Sequence, residues 1–197
     1  MTDKPLAGQV ALITGAGRGI GRAIALAYAG AGASVGCAAR TETEIEAVVA
    51  EIRAQGGQAI AIPADVTDRS AVQGMTETVA GQLGGLDILA INAGVNLDRR
   101  RVEESNPDDW KGTLDVNLTG AYFCAQAAIP HLKARGGGKI ITIGSGMGHR
   151  GSPAHSAYCI YTISNLQSQI SNLGRIAPVE RVLLHLVDDP VGRRRIV

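Results

Sequence analysis

The sequence predicts an α/β protein, a doubly wound parallel sheet with helices on both faces. Two observations predict it. Five short apolar runs alternate with longer stretches of helical hydrophobic spacing. The runs are near-continuously apolar, as strands buried on both faces are. The chain has 197 residues, 45% of them hydrophobic and 19% charged, which suits one soluble globular domain.

Gln9–Ile13 reads as the first strand, running into glycine-rich sequence. Ile20–Ala29 reads as a helix with Ile20, Ile24, Ala27 and Tyr28 near one face. Ser34–Ala38 is the second strand. Thr41–Gln55 is the second helix, opened by Thr41 and Glu44 in capping-box spacing, with an inward stripe of Ile45, Val48, Val49 and Ile52. Gln58–Ile62 is a third strand, stopped by Pro63. Asp68–Leu83 is a helix with Val72, Met75 and Val79 inward, and Asp87–Ile91 the fourth strand. Asn106-Pro107 starts a long helix reaching about Arg135, and Gly136-Gly137-Gly138 ends it. Lys139–Ile143 is the fifth strand.

Bulk properties exclude several classes. The 26 glycines are dispersed without a short repeat, which removes collagen-like and low-complexity readings. A net charge of +1 argues against nucleic-acid binding through a broad basic surface. The runs Arg99–Arg101 and Arg193–Arg195 read as solvated charge. Cys37, Cys124 and Cys159 lack metal-ligand or redox-motif spacing and read as reduced, mostly buried thiols of a cytoplasmic protein. No apolar stretch has signal-peptide or membrane-spanning character.

The first strand leads into Thr14-Gly15-Ala16-Gly17-Arg18-Gly19-Ile20-Gly21 and then a helix. Glycines there let the backbone approach a pyrophosphate, and the helix N-terminus offers unpaired N–H groups and a positive dipole end. An acidic residue at the end of the second strand would grip the ribose 2′-hydroxyl of NAD. That strand ends Cys37-Ala38-Ala39-Arg40, without a carboxylate. Arg40 and Arg18 instead suit a 2′-phosphate through charge-assisted hydrogen bonds. NADP(H) is therefore the preferred cofactor, with NAD(H) the alternative.

These marks resemble the short-chain dehydrogenases/reductases, and within that family Gly136–Gly148 is similar to bacterial 3-oxoacyl-carrier-protein reductases and related sugar-acid or alcohol dehydrogenases. Thr14–Gly21 is similar to that family's cofactor motif, and Asp65-Val66 to its adenine-contact pair. Asn92-Ala93-Gly94 matches its NNAG motif, with Ile91 replacing the first asparagine. Asn117 matches the helix asparagine, Ser145 the catalytic serine and Tyr158 the catalytic tyrosine, which stand 13 residues apart. The match covers roughly residues 6 to 159. It implies a Rossmann-like fold and hydride transfer between a nicotinamide and a small-molecule carbonyl or secondary alcohol. Tyr158 would be the acid/base, Ser145 would polarise the substrate oxygen, and Asn117 would hold a proton-relaying water.

A free tyrosine, with a pKa of about 10, is a poor base at neutral pH. The family places a lysine four residues later, whose charge favours the phenolate and whose ammonium grips the nicotinamide ribose. Here that position is Thr162, and no lysine follows Lys139. The wider resemblance stops after Tyr158-Cys159. The stretch 160–197 is polar, then arginine-rich, with two glycines, Gly174 and Gly192. The expected organisation is a core over residues 1–159 and an atypical tail, 160–197, of the same domain, with the C-terminal strands missing or altered. The abrupt loss of resemblance suggests a shifted reading frame or a truncated variant; the rival is a genuine divergent tail. A catalytically impaired nucleotide-binding protein is the alternative function. The resemblance implies a homo-oligomer built on the long helix and the next, and the altered tail argues against that assembly here. Substrate identity is not written in the motifs, and Gly146–His155 is the one local wall they indicate.

Overall fold

The computed structural model describes residues 4–147 and 154–163, and two short strands, 186–188 and 194–196. Strand β1 is Val10–Thr14, followed by helix α1 (Gly19–Gly30), β2 (Ser34–Ala39), α2 (Glu42–Ala54), β3 (Gln58–Pro63), α3 (Arg69–Leu83) and β4 (Ile88–Ile91). After a 3-10 turn at Val102–Glu104 come α4 (Pro107–Leu114), a π-helical turn (Asp115–Thr119), α5 (Gly120–Ala134) and β5 (Lys139–Thr142). Helix α6 is Ser156–Ile163. Leu186–Asp188 (β6) and Arg194–Ile196 (β7) pair antiparallel as a separate ribbon.

The five main strands form one parallel sheet in the order β3-β2-β1-β4-β5. The chain starts at the centre, winds outward through β2 and β3, then returns to the other side of β1. This is the Rossmann-like, doubly wound arrangement expected. Alternation along β1 fills both faces. Val10 and Leu12 join the core under α3 and α5, with Val72, Val79, Cys124 and Ala128. Ala11 and Ile13 join the core under α1 and α2, with Ile24, Ile45, Val48 and Ile52. Truncating a fully buried side chain such as Leu12 costs about 2–5 kcal/mol.

Three details differ from the sequence reading. In α1 the buried face is Gly21, Ile24, Ala25 and Ala29, while Ala27 is exposed. Small residues win because the helix packs close against the sheet. Thr41 precedes α2, but its side chain makes no cap hydrogen bond, so the capping box does not form. The long helix is continuous in path but widens into a π turn at Asp115–Thr119, where hydrophobic spacing carries no signal for the extra residue. Pro63 closes β3 at the sheet edge, where its missing N–H is harmless. Within the tail, α6 continues to Ile163, while 164–185 and 189–193 lie outside the described residues.

Candidate active site

In an open parallel sheet the ligand crevice lies beyond the carboxyl ends of the strands, where the winding reverses. That point falls between β1 and β4. Thr14 and Asn92, at the two strand ends, form a buckle across it. Thr14 Oγ1 accepts hydrogen bonds from the backbone N–H of Asn92 at 3.0 Å and of Ala93 at 3.1 Å. Asn92 Nδ2 donates to the carbonyls of Thr14 and Gly15 at 3.1 and 3.2 Å. Thr14 is fully buried, so its side chain acts by shaping the turn.

Gly15 has φ +65°, and a Cβ there would lie 2.9 Å from Asn92 Nδ2. A Cβ on Gly21 would fall on the Gly15 carbonyl oxygen and 2.5 Å from Asn92 Nδ2. Only bare backbone fits at both. The turn delivers the chain into α1, whose preceding residue, Arg18, gives no side-chain cap and whose first turn holds no acidic residue. By contrast, Asp68 caps α3 through the N–H groups of Ser70 and Ala71, and Asn106 caps α4 through that of Asp108. The positive end of α1 is thus left open at the mouth of the crevice, which fits a pyrophosphate. Gly19 takes φ +55° and is exposed, and Ile20 is half-buried against the α1/α2 core.

The adjoining rim is charged. Ala16 N–H bonds the Ala38 carbonyl at 3.0 Å, tying the turn to β2. Arg18 and Arg40 are both exposed. Arg40 faces Asp65 at 4.0 Å, a solvent-exposed pair worth about 0–1 kcal/mol and readily exchanged for a phosphate. Asp65 Oδ1 also accepts from the backbone and hydroxyl of Thr67, which folds the turn after β3. Val66 is buried, and a Cβ on Gly120 would meet it at 2.8 Å. One rim group escaped the sequence reading. Glu44, half-buried on the first turn of α2, places Cβ and Oε2 each 2.8 Å from where a Gly17 Cβ would stand. Its capping-box spacing gave it another explanation.

The π turn carries Asn117 inward. Its Oδ1 accepts from Val95 N–H at 2.8 Å and its Nδ2 donates to the Val95 carbonyl at 2.7 Å. Thr113, one turn earlier, accepts from Leu97 N–H at 3.3 Å. Asp109, another turn back, meets Arg100 at 2.8 Å. Three side chains spaced by four thus stitch the segment after β4 onto the helix, and Gly94 lies against Asn117. Both side-chain ends of Asn117 are committed to Val95. Ser145, just past β5, is half-buried and its Oγ accepts from Met147 N–H at 3.3 Å. Half-buried Tyr158 lies on α6, which packs against α4 and the π turn. Position 162 is one helical turn further along α6. Of the predicted wall Gly146–His155, residues 148–153 lie outside the described residues.

The profile of the short chain dehydrogenase family matches residues 9–160. The chain belongs to that family. The match ends where the motif resemblance ends. The 3-oxoacyl-[acyl-carrier-protein] reductase FabG of Staphylococcus aureus is 40% identical over 151 residues, 75% of this chain and 60% of that protein. Versicolorin reductase of Emericella nidulans is 40% identical over 154 residues, 78% of this chain and 58% of its own length. Among solved structures, a 3-ketoacyl-ACP reductase from Sinorhizobium meliloti superposes with a TM-score of 0.76 at 41% identity, covering 82% of this chain and 63% of that one. An NAD+-bound xylitol dehydrogenase gives a TM-score of 0.84 at 28% identity, covering 91% and 69%. The chain spans about three fifths of the length of the curated relatives it matches. Among the described residues no helix is long and apolar enough to cross a membrane, and no three His, Cys, Asp or Glu side chains gather as metal ligands.

Proposed function

We propose that this chain is the dinucleotide-binding core of an oxidoreductase that interconverts a carbonyl and a secondary alcohol, with NADP(H) the preferred cofactor. The observation that carries the reading is the open N-terminus of α1 at the winding reversal, reached through a turn with no room for a Cβ at Gly15 or Gly21. Core and tail divide at 159/160 within one domain, and the protein is cytoplasmic. Its three buried thiols agree with a reducing compartment.

Gly15, Gly17, Gly19, Ile20 and Gly21 present backbone to the pyrophosphate. Arg18 and Arg40 hold the 2′-phosphate. Asp65 and Val66 border the adenine, and Asn92, Ala93 and Gly94 line the far side of the crevice, with Thr14 bracing them. The bound dinucleotide supplies or takes up the hydride. The Tyr158 hydroxyl gives or takes the proton at the substrate oxygen, and Ser145 Oγ donates a hydrogen bond to that oxygen. Asn117, committed to Val95, shapes the floor where a proton-relaying water is held. A 3-oxoacyl thioester is the substrate class suggested by the reductases it resembles. Loss of NADPH absorbance in the presence of a β-keto ester tests the reading. Tyr158→Phe must abolish whatever turnover the parent shows; turnover that survives the substitution contradicts the assignment.

Thr162 favours a second reading, a nucleotide-binding protein with impaired chemistry. A threonine supplies no positive charge to lower the phenol's pKa and no ammonium for the ribose. Cofactor binding without turnover is its signature.

A further inference from the structure

The rim beside the phosphate turn holds one carboxylate to which the roles above assign nothing. Glu44 reaches from the first turn of α2 to cover Gly17, with Oε2 2.8 Å from that residue's absent Cβ. It makes no hydrogen bond or ion pair among the described residues. Arg40 lies four residues before Glu44, just past the end of β2, and Arg18 follows Gly17. In dinucleotide folds this corner, between the first turn and the end of β2, receives the ribose 2′ substituent. A carboxylate there accepts a hydrogen bond from a hydroxyl and repels a phosphate.

We propose that Glu44 is a specificity-determining residue of the cofactor site: its carboxylate accepts a hydrogen bond from an unphosphorylated ribose 2′-hydroxyl and opposes a 2′-phosphate. Resting on the dinucleotide-binding reading, this sets the margin between the two cofactors. Two guanidinium groups draw the phosphate in and Glu44 holds that advantage down, so the site takes NAD(H) alongside NADP(H). The second strand lacks the acidic residue that usually selects NAD. Here α2 supplies the carboxylate instead, four positions beyond Arg40. The charge is half-exposed and partly screened by solvent, which keeps its effect moderate.

The test is dissociation constants for NADPH and NADH, and for the fragments 2′,5′-ADP and 5′-AMP, in the parent, Glu44→Gln and Glu44→Ser. Glutamine keeps the size and removes the charge; serine removes the reach. Thermal unfolding confirms that each variant folds. The expected result is a shift of the NADPH-to-NADH affinity ratio toward NADPH by roughly tenfold in Glu44→Gln, the weight of one hydrogen bond to a charged group. NADPH and 2′,5′-ADP tighten, while NADH and 5′-AMP weaken. An unchanged ratio with both cofactors bound overturns the proposal and leaves the binding reading intact. Equal weakening of both cofactors also overturns it, because that reports a bracing role for the turn. A folded parent that binds neither dinucleotide overturns both.

Discussion

The two halves of the crevice are furnished differently. On the β1–β4 side every group has its place: Thr14 and Asn92 lock the strand ends with four hydrogen bonds, glycines stand where a Cβ would collide, and α1 is left uncapped. On the β5–α6 side Ser145 follows β5 and Tyr158 lies on α6, while position 162 is threonine. Binding a dinucleotide needs mostly backbone, which a fold provides once the turn is right. Proton transfer needs one side chain of the right charge at one place, so a single substitution disables it. The contrast predicts that nucleotide binding and turnover separate in this chain.

The largest effect is expected from repairing the weaker side. Thr162→Lys should raise NADPH-dependent turnover of a β-keto ester by about a hundredfold or more, the usual weight of positioned acid–base catalysis. Steady-state rates check this, and an unchanged rate would place the deficit elsewhere in the tail. Damaging the stronger side comes next. Gly21→Ala drives a methyl group onto the Gly15 carbonyl and should weaken NADPH binding at least roughly tenfold, while costing about 1–3 kcal/mol in stability. Fluorescence titration and chemical denaturation measure the two together. Asn117→Ala leaves the Val95 N–H and carbonyl without partners and should cost about 1–3 kcal/mol. A denaturation midpoint unchanged from the parent would show that the stitch to Val95 is dispensable. The smallest effect concerns the core that both halves share. Burial pushes the Cys37 and Cys124 thiols up to about 12, so the thiolate is scarce in the native state at pH 8. Both should react with a disulfide reagent only on unfolding. The sign is that of a raised acid: folding favours the neutral thiol, so this contribution is present below the unfolded pKa near 9 and declines as pH rises beyond it. Prompt labelling of native Cys37 or Cys124 would contradict the packing around β2 and α5.

Much of the nucleotide half was legible in the sequence because strand burial and glycine turns leave local marks. The runs from Val10, Ser34 and Gln58 are apolar on both faces, and the observed strands begin and end within a residue of the predicted ones. The π turn was not legible: its extra residue leaves the apolar spacing of Val116 to Ala128 looking helical throughout. Glu44 was hidden by a rival explanation, since Thr41 and Glu44 match a helix-capping pattern that the folded chain does not use. The buckle at Thr14 was readable as a motif but not as a mechanism, because its partner lies 78 residues away. For the tail, the sequence offers no periodicity from which to place Arg181–Val187, and 181–185 lies outside the described residues.

The most direct test of the central claim is an NADPH fluorescence titration of the purified, folded chain, with a β-keto ester then added to the same sample. The account predicts saturable binding that 2′,5′-ADP displaces, with little oxidation of NADPH until Thr162 is replaced by lysine. A folded sample that leaves NADPH fluorescence unchanged would contradict it.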